Sequence, residues 1–486
     1  MKVLVAITSF GTANDRYLSQ VIAEYRAMPF LVDIVVCSNQ NKVLPPNVEL
    51  VVGLPTADPW SLPFAHKEIL AKRVHDYDLF VYSEDDILIT EKNIRAFLDL
   101  SAVLPSGEIP GFIRYEIRPD GKKNFPDFHA NFRWEPKSVR LRGGHTLAFF
   151  TNEHAGCYLL TQFQLQRAIE SGGFLVAPHR GVYDLACTAA TDPYTQCGFR
   201  KLISLSHREE FLVHHLPNKY AEEYGLEELE CDRYIRALLT AKATERVPWR
   251  LNTDTAIPGR IFSKDYYEPA RRDLIALIPE ESKTVLSVGC GWGATEASLQ
   301  QTGRRVIVSG LDPAMSRWAE SRGLEVLTGN QVTARERLAE CGVDCLLLSN
   351  VLHLAPDPAE FLASLVAVLP QNSPVVAALP SLHWIKAAWK KMRDSEHCRF
   401  LGDFERTKLH LTSHRIVRRW FHQAGIRVER FVDEVPERLQ GIDRLTLGLL
   451  RPWLAAEMLV MGRTLRGQTS PEAVESPAEL QAPVTA

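Results

Sequence analysis

Two short stretches hold residue types that do chemistry. The first is Glu84, Asp85 and Asp86, three consecutive carboxylates closing the apolar run "YDLFVYS". Hard divalent cations take carboxylate oxygens, and a magnesium-like ion is commonly held by one or two of them together with substrate phosphates. Side chains alternate along an extended segment, so Glu84 and Asp86 share a face and Asp85 turns elsewhere. The competing reading is a solvated loop in which one carboxylate caps the helix expected from about Thr90 through "EKNIRAFLDL". The second stretch is "VLSVGCGWGA", Val285 to Ala294, an apolar run that ends in Gly289, Gly291 and Gly293. Glycines at a strand end let backbone approach a ligand closely and aim helix N–H groups at it. With Ala294 they satisfy G-x-G-x-x-A, and Asp312 follows at about 20 residues, where a ribose-binding acid belongs.

The elements that must position these residues follow from periodicity. In the first part, "KVLVAITS", "VDIVVCSN", "VELVVG" and "DLFVYS" alternate with the amphipathic stretches "DRYLSQVIAEYRAM" and "SLPFAHKEILAKRVHD". That alternation implies crossover units and a largely parallel sheet with helices on both faces. Ligands sit beyond the carboxyl ends of such strands. Ser9, Ser38, Asn39 and the three carboxylates all lie at that edge. Further on, "HTLAFFTNEHAGCYLLTQFQLQRAIESGG" predicts a strand and then a helix, and "GVYDLACTAAT" another helix. Periodicity weakens after Asn218 into a charged helix and a proline-bearing connector, then resumes with a helix, a proline stop and the strand that runs into glycines.

At 486 residues the chain exceeds what one core organises, so two domains are expected. The predicted divisions are 1–220, a helical and polar linker at 221–258, a second domain at 259–465, and a disordered tail at 466–486 rich in Ala, Pro, Glu and Ser. An apolar fraction of 45%, a charged fraction of 24% and a net charge of -3 give no reason to expect nucleic acid. Nine cysteines without a C-x-x-C pair argue against a zinc site or a disulfide scaffold and fit a reducing compartment. The opening "MKVLVAITSF" reads as a first strand and not as a secretion signal. No run reaches roughly 18 uninterrupted apolar residues. The nearest, "LTLGLLRPWLAAEMLVMG", is broken by Arg451, Pro452 and Glu457, so membrane contact is at most peripheral.

The crossover sheet followed by "FAHKEILAKRVHDYDLFVYSEDDIL" resembles the GT-A glycosyltransferases over residues 1–220, with Glu84 in place of the first Asp of their Asp-x-Asp motif. The resemblance implies a divalent Mn²⁺ or Mg²⁺ ion clamping the phosphates of a nucleotide-sugar donor. Glu84 with Asp86, or Asp85 with Asp86, would bind it. A late histidine, His215 or its neighbour His214, would complete the shell. An inverting member needs a carboxylate to deprotonate the acceptor hydroxyl: Asp184 first, then Glu153 and Asp192, each of which could equally be structural. Phe132, Trp134 and Phe149 could stack on sugar rings, with burial in the core as the alternative.

The glycine pattern alone suits a nicotinamide dinucleotide or S-adenosylmethionine (SAM). The segments "YYEPARRDLIALIP", "VDCLLLSNVLHLAPDPAEFLASLVAVLP", "SPVVAALPS" and "HLTSHRIVRRWFHQAGIRVERF" recur in an order that resembles the class I SAM-dependent methyltransferases. By that resemblance Gly289, Gly291 and Gly293 cradle the methionine part, Asp312 holds the ribose hydroxyls, Asn330 lies near the adenine and Asn350 lines the floor. Ser287 departs from the acid usual at the start of the motif, and "LHL" at Leu352 to Leu354 replaces the usual Glu-His. His353 and His410 are the candidate bases for a hydroxyl acceptor, each with a structural alternative.

The expected fold is therefore α/β, with two doubly wound domains: an N-terminal GT-A-like nucleotide-sugar domain and a C-terminal Rossmann-like methyltransferase domain. The expected function is bifunctional, sugar transfer and methylation of a hydroxyl on a glycan or glycolipid acceptor, in surface polysaccharide or glycolipid synthesis. The alternatives are a methyltransferase with a non-catalytic glycan-binding N-terminal domain, and a nicotinamide-dependent oxidoreductase fused to a binding module.

Overall fold

The computed structural model describes residues 1–241, 245–393 and 398–465; the expected tail at 466–486 lies outside them. Both halves are mixed α/β. In the first, Lys2–Ser9 runs parallel between Leu31–Ser38 and Leu79–Glu84, with Val48–Val52 parallel beyond and Cys157–Thr161 antiparallel on the other edge. Continuous apolar runs form these central strands because helices cover both faces: Val3 to Ile7 and Leu79 to Tyr82 are fully buried. The helix Asp15–Ala27 turns Leu18, Val21, Ile22 and Tyr25 inward at helical spacing.

A second, smaller sheet meets this one at the carboxylates. Leu212–His215 lies parallel to Ile113–Ile117 and antiparallel to Ile87–Leu88, with His215 opposite Ile87. Residues 84–86 are thus the turn between two sheets, and His215 is drawn to them by strand pairing.

The C-terminal half is a seven-stranded sheet in the order Glu325–Val326, Arg305–Gly310, Thr284–Cys290, Cys345–Ser349, Pro374–Pro380, Glu457–Thr464, Ile426–Glu434. The first five are parallel, and Glu457–Thr464 is antiparallel to both its neighbours. The glycine run leaves the carboxyl end of the central strand.

The charge-rich stretch between the halves contains the helix Glu228–Thr240, whose Cys231, Tyr234, Ile235 and Leu238 are buried. The Tyr234 ring stacks on Trp318 at 4.4 Å, and Glu230 accepts hydrogen bonds from Trp318 Nε1 (3.2 Å) and Arg322 (2.8 Å). One hydrophobic cluster consequently runs from Phe125 and Trp134 through Tyr234 and Trp318 to Leu286 and Val288. The lead-in to the second sheet is also tied across: Tyr266 N–H donates to the Ala130 carbonyl at 2.7 Å and Tyr267 Oη to that of Phe132 at 2.7 Å.

Candidate functional site

In the N-terminal half a cavity of about 680 Å³ opens beyond the carboxyl ends of the parallel strands, lined by Glu84, Asp85, Asp86, Arg114, His154, Asp184 and His215 among others. None of the three carboxylates caps the following helix. Thr90 does so, in a capping box with Asn93, and the solvated-cap reading falls.

The carboxylates divide by direction. Asp85 turns to the first strand, accepting from Ser9 Oγ at 2.5 Å and Asn14 Nδ2 at 2.8 Å; burial raises its carboxyl to about 6. Glu84 and Asp86 face two imidazoles. His154 Nε2 stands 3.5 Å from Glu84 Oε1, and His215 Nε2 stands 3.5 Å from Asp86 Oδ2. Burial pushes the Glu84 carboxyl up, but His154, Arg114 and His215 outweigh it and hold the group below its usual range. Burial alone would lower His215; Asp86 and Glu116 prevail and raise it to about 9. Asp86 Oδ1 is buried without a hydrogen-bond partner, and the buried His154 Nε2 has only the 3.5 Å approach of Glu84.

Among the described residues no group of three or more His, Cys, Asp or Glu side chains converges closely enough to hold a metal ion. Two carboxylates and two imidazoles nevertheless line one cavity, and His215 Nδ1 donates to Glu116 Oε1 at 2.5 Å. His214 turns away to Asn218 Oδ1 at 3.0 Å and stacks on Tyr115.

The other acids have separate settings. Asp184 lines the cavity and caps the helix Leu185–Thr195 through Cys187 N–H at 2.8 Å. Asp192 is fully buried against Lys67. Glu153 is outside the cavity lining; burial raises its carboxyl to about 7, and Lys201 Nζ donates to its carbonyl at 3.1 Å. Of the aromatics, Trp134 is fully buried, Phe132 stacks on Tyr183, and Phe149 lies under Arg200. Arg114, Glu116 and His154 carry the site's electrostatics, and no local pattern singles them out.

In the C-terminal half, Gly289 and Gly293 take φ of +81°, the left-handed region that glycine enters without a steric cost. Gly291 is constrained from the protein side. A Cβ there would lie 2.3 Å from the Tyr266 carbonyl oxygen, which also accepts from Trp292 N–H at 3.0 Å. Asp312 lies two residues past the neighbouring strand Arg305–Gly310 and divides its oxygens: Oδ1 caps the helix Pro313–Glu320 through Met315 N–H at 2.9 Å, while Oδ2 is buried with no partner. Burial raises this carboxyl, and the Arg133 guanidinium from the N-terminal half opposes the rise. A free buried acceptor beside the glycine turn fits the ribose hydroxyls of SAM.

Asn330 is exposed and caps the helix Gln331–Cys341 through Thr333 N–H at 3.0 Å. Asn350, at φ +53°, donates to Glu457 at 2.6 Å and to Glu268 at 3.3 Å. Glu268 also binds Lys264 and Ser349; burial opposes its charge, and Lys264 foremost overcomes it to leave the carboxyl at about 2. Ser287 donates to the buried Glu296 at 2.6 Å, so a carboxyl adjoins the motif's start from the next helix. The two candidate bases are neighbours, since His410 N–H donates to the His353 carbonyl at 3.0 Å. His353 Nε2 donates to Phe262 O at 2.9 Å, Nδ1 is buried without a partner, and burial lowers the imidazole to about 4. His410 Nε2 donates to the Ala355 carbonyl at 3.1 Å, and its ring stacks on Phe404 at 4.3 Å.

Comparison with known proteins bears on this half. Residues 262–430 match a family of methyltransferase domains. No curated protein matches the chain in sequence. Solved structures similar to it include a SAM-dependent methyltransferase from Mesorhizobium loti (15% identity, 40% of this chain and 96% of that one, TM-score 0.28) and another from Archaeoglobus fulgidus (15%, 40% and 90%, 0.29). A third is the magnesium protoporphyrin IX methyltransferase of Synechocystis with bound S-adenosylhomocysteine (14%, 40% and 81%, 0.28). The family match favours SAM over a nicotinamide dinucleotide, the choice that the glycine pattern had left open.

Proposed function

We propose, from the premise that the C-terminal half is a class I SAM-dependent methyltransferase domain, that the chain is a two-site transferase. The C-terminal site methylates a hydroxyl, and the N-terminal site transfers a sugar from a nucleotide donor, with a glycan or glycolipid as the shared acceptor. Fusion would keep the product of one site at high effective concentration for the other. The setting we propose is cytoplasmic. Among the described residues no helix is long and apolar enough to cross a membrane.

For methyl transfer, SAM supplies an activated methyl group on sulfonium. This chain's part is to bind and orient. Gly289 and Gly293 shape the turn, Asp312 Oδ2 offers a buried acceptor, and the Glu268, Asn350 and Glu457 network fixes the strand ends around them. His353 is neutral at pH 7 and presents an unprotonated Nδ1.

For sugar transfer, Glu84 and Asp86 with His154 and His215 would hold a divalent ion, which would neutralise the leaving diphosphate. Asp184, on the cavity wall, is the acceptor base. The observation that carries this half of the proposal is that Glu84, Asp86, His154 and His215 line one cavity, with Asp86 Oδ1 buried and without a hydrogen bond. A thermal-shift screen of nucleotide sugars, with and without Mn²⁺ or Mg²⁺, tests it: stabilisation by one donor that requires the ion is expected, and no stabilisation by any donor rejects it.

The second reading, a methyltransferase with a non-catalytic glycan-binding N-terminal half, is favoured by the absence of three converging ligands among the described residues. It predicts stabilisation by oligosaccharides without metal and no donor hydrolysis.

A further inference from the structure

We infer that residues 442–453, together with the helix Trp384–Arg393, form a face that docks onto an anionic membrane surface. Within this one segment Ile442, Leu445, Leu447, Leu449, Leu450 and Trp453 are all exposed, Leu445 by 84% and Leu447 by 89%. Scattered exposed leucines are ordinary in a folded protein; a contiguous set marks an interaction surface. The helix adds Ile385 and Met392, the latter 81% exposed. Its first turn is tied to the end of the segment, because Lys386 Nζ donates to the carbonyls of Ala455 and Ser381, and Ser381 Oγ donates to that of Pro452 at 3.4 Å.

Charge selects the occupant. The chain as a whole carries -3, yet residues 385–392 hold Lys386, Lys390 and Lys391 with no carboxylate. Arg438, Arg444 and Arg451 are exposed around the leucines, with the exposed carboxylates Glu434 and Glu437 set back at the segment's start, and Asp443 is buried and bound to Arg451 at 2.7 Å. An apolar tip with a basic rim is the pattern of interfacial membrane binding. A second copy of the chain would set the same basic patch against itself in a two-fold contact, and like charges oppose that.

Position supports the same partner. The segment leaves and re-enters the sheet where Glu434 and Pro380 both pair with Glu457. That is the edge at which the strands ending in Cys290 and Ser349 also terminate. A bilayer bound there would face the methyl-transfer site, where a lipid-linked acceptor would be presented.

The test is co-sedimentation of the full chain with vesicles of equal parts phosphatidylcholine and phosphatidylglycerol, beside vesicles of phosphatidylcholine alone. The chain is expected to pellet with the anionic vesicles and to be released by salt. The double variant Leu447→Asp, Leu449→Asp should bind roughly tenfold less or weaker. Both positions are exposed, and aspartate tolerates the +51° φ of Leu447 better than leucine does, so an unchanged melting curve is expected. Lys391→Glu with Arg444→Glu should weaken binding as well. The inference is overturned if the unaltered chain does not pellet with anionic vesicles, or if both double variants pellet equally well. It is also overturned if sedimentation velocity shows a dimer that the leucine variant splits while vesicle binding is unchanged.

Discussion

His215 stands with Nε2 3.5 Å from the Asp86 carboxylate while its Nδ1 holds Glu116 at 2.5 Å. Glu116 belongs to the strand Ile113–Ile117, parallel to the one that ends in His215. The imidazole is therefore aimed by a neighbouring strand, and Asp86 receives it with one oxygen still unsatisfied.

Asp86→Asn should leave the fold intact, since Thr90 caps the next helix and Asp86 does not. It removes the negative charge that the side chain can offer an ion while nearly keeping its shape. Metal-dependent donor hydrolysis should fall by orders of magnitude, and SAM affinity on the same preparation should be unchanged. Full hydrolysis by the variant rejects the metal role. Loss of both activities shows that the two sites stand or fall together through the shared core.

Gly291→Ala should destabilise the chain even without ligand. The added Cβ meets the Tyr266 carbonyl at 2.3 Å, and backbone there cannot swing aside as a side-chain end would. Overpacking of this kind costs roughly 1–3 kcal/mol, so differential scanning calorimetry should record a lower melting temperature together with weakened SAM binding. An unchanged melting curve would mean that the lead-in moves freely over the glycine turn.

Much of this organisation is legible in the sequence because burial leaves a strong local mark. "KVLVAITS" and "DLFVYS" read as covered parallel strands since no polar residue interrupts them, and the glycines after Val288 mark a turn that a Cβ would obstruct. His154 is not legible in that way. It reaches Glu84 only because Cys157–Thr161 pairs antiparallel with Leu79–Glu84, Cys157 opposite Ser83, and that pairing joins segments far apart in the chain. Glu116 is hidden for the same reason. The stretch before residue 258 reads as a linker from its charges, yet Cys231, Tyr234, Ile235 and Leu238 recur at helical spacing, and these are the residues that pack between the halves.

The buried His353 should make stability depend on acid. Its imidazole lies at about 4 in the folded chain against 6.5 ordinarily. Between those values the unfolded chain binds a proton that the folded chain does not, so stability is lost as pH falls from 6.5 toward 4. The loss amounts to roughly 3 kcal/mol at most. His353→Gln keeps a donor for the Phe262 carbonyl and removes the titration. Its melting temperature should fall less than that of the unaltered chain over this window, and parallel curves would show that His353 is not held neutral.

We propose that Asp312 serves a helix with one oxygen and SAM with the other. Isothermal titration of SAM into the chain and into Asp312→Asn tests it most directly. Asparagine caps a helix about as well as aspartate, so the variant should melt near the unaltered chain. It should bind SAM with a dissociation constant roughly tenfold to a hundredfold higher, the loss expected for a charged hydrogen-bond acceptor. An unchanged dissociation constant in a folded Asp312→Asn, or no SAM binding by the unaltered chain, would contradict this role of Asp312.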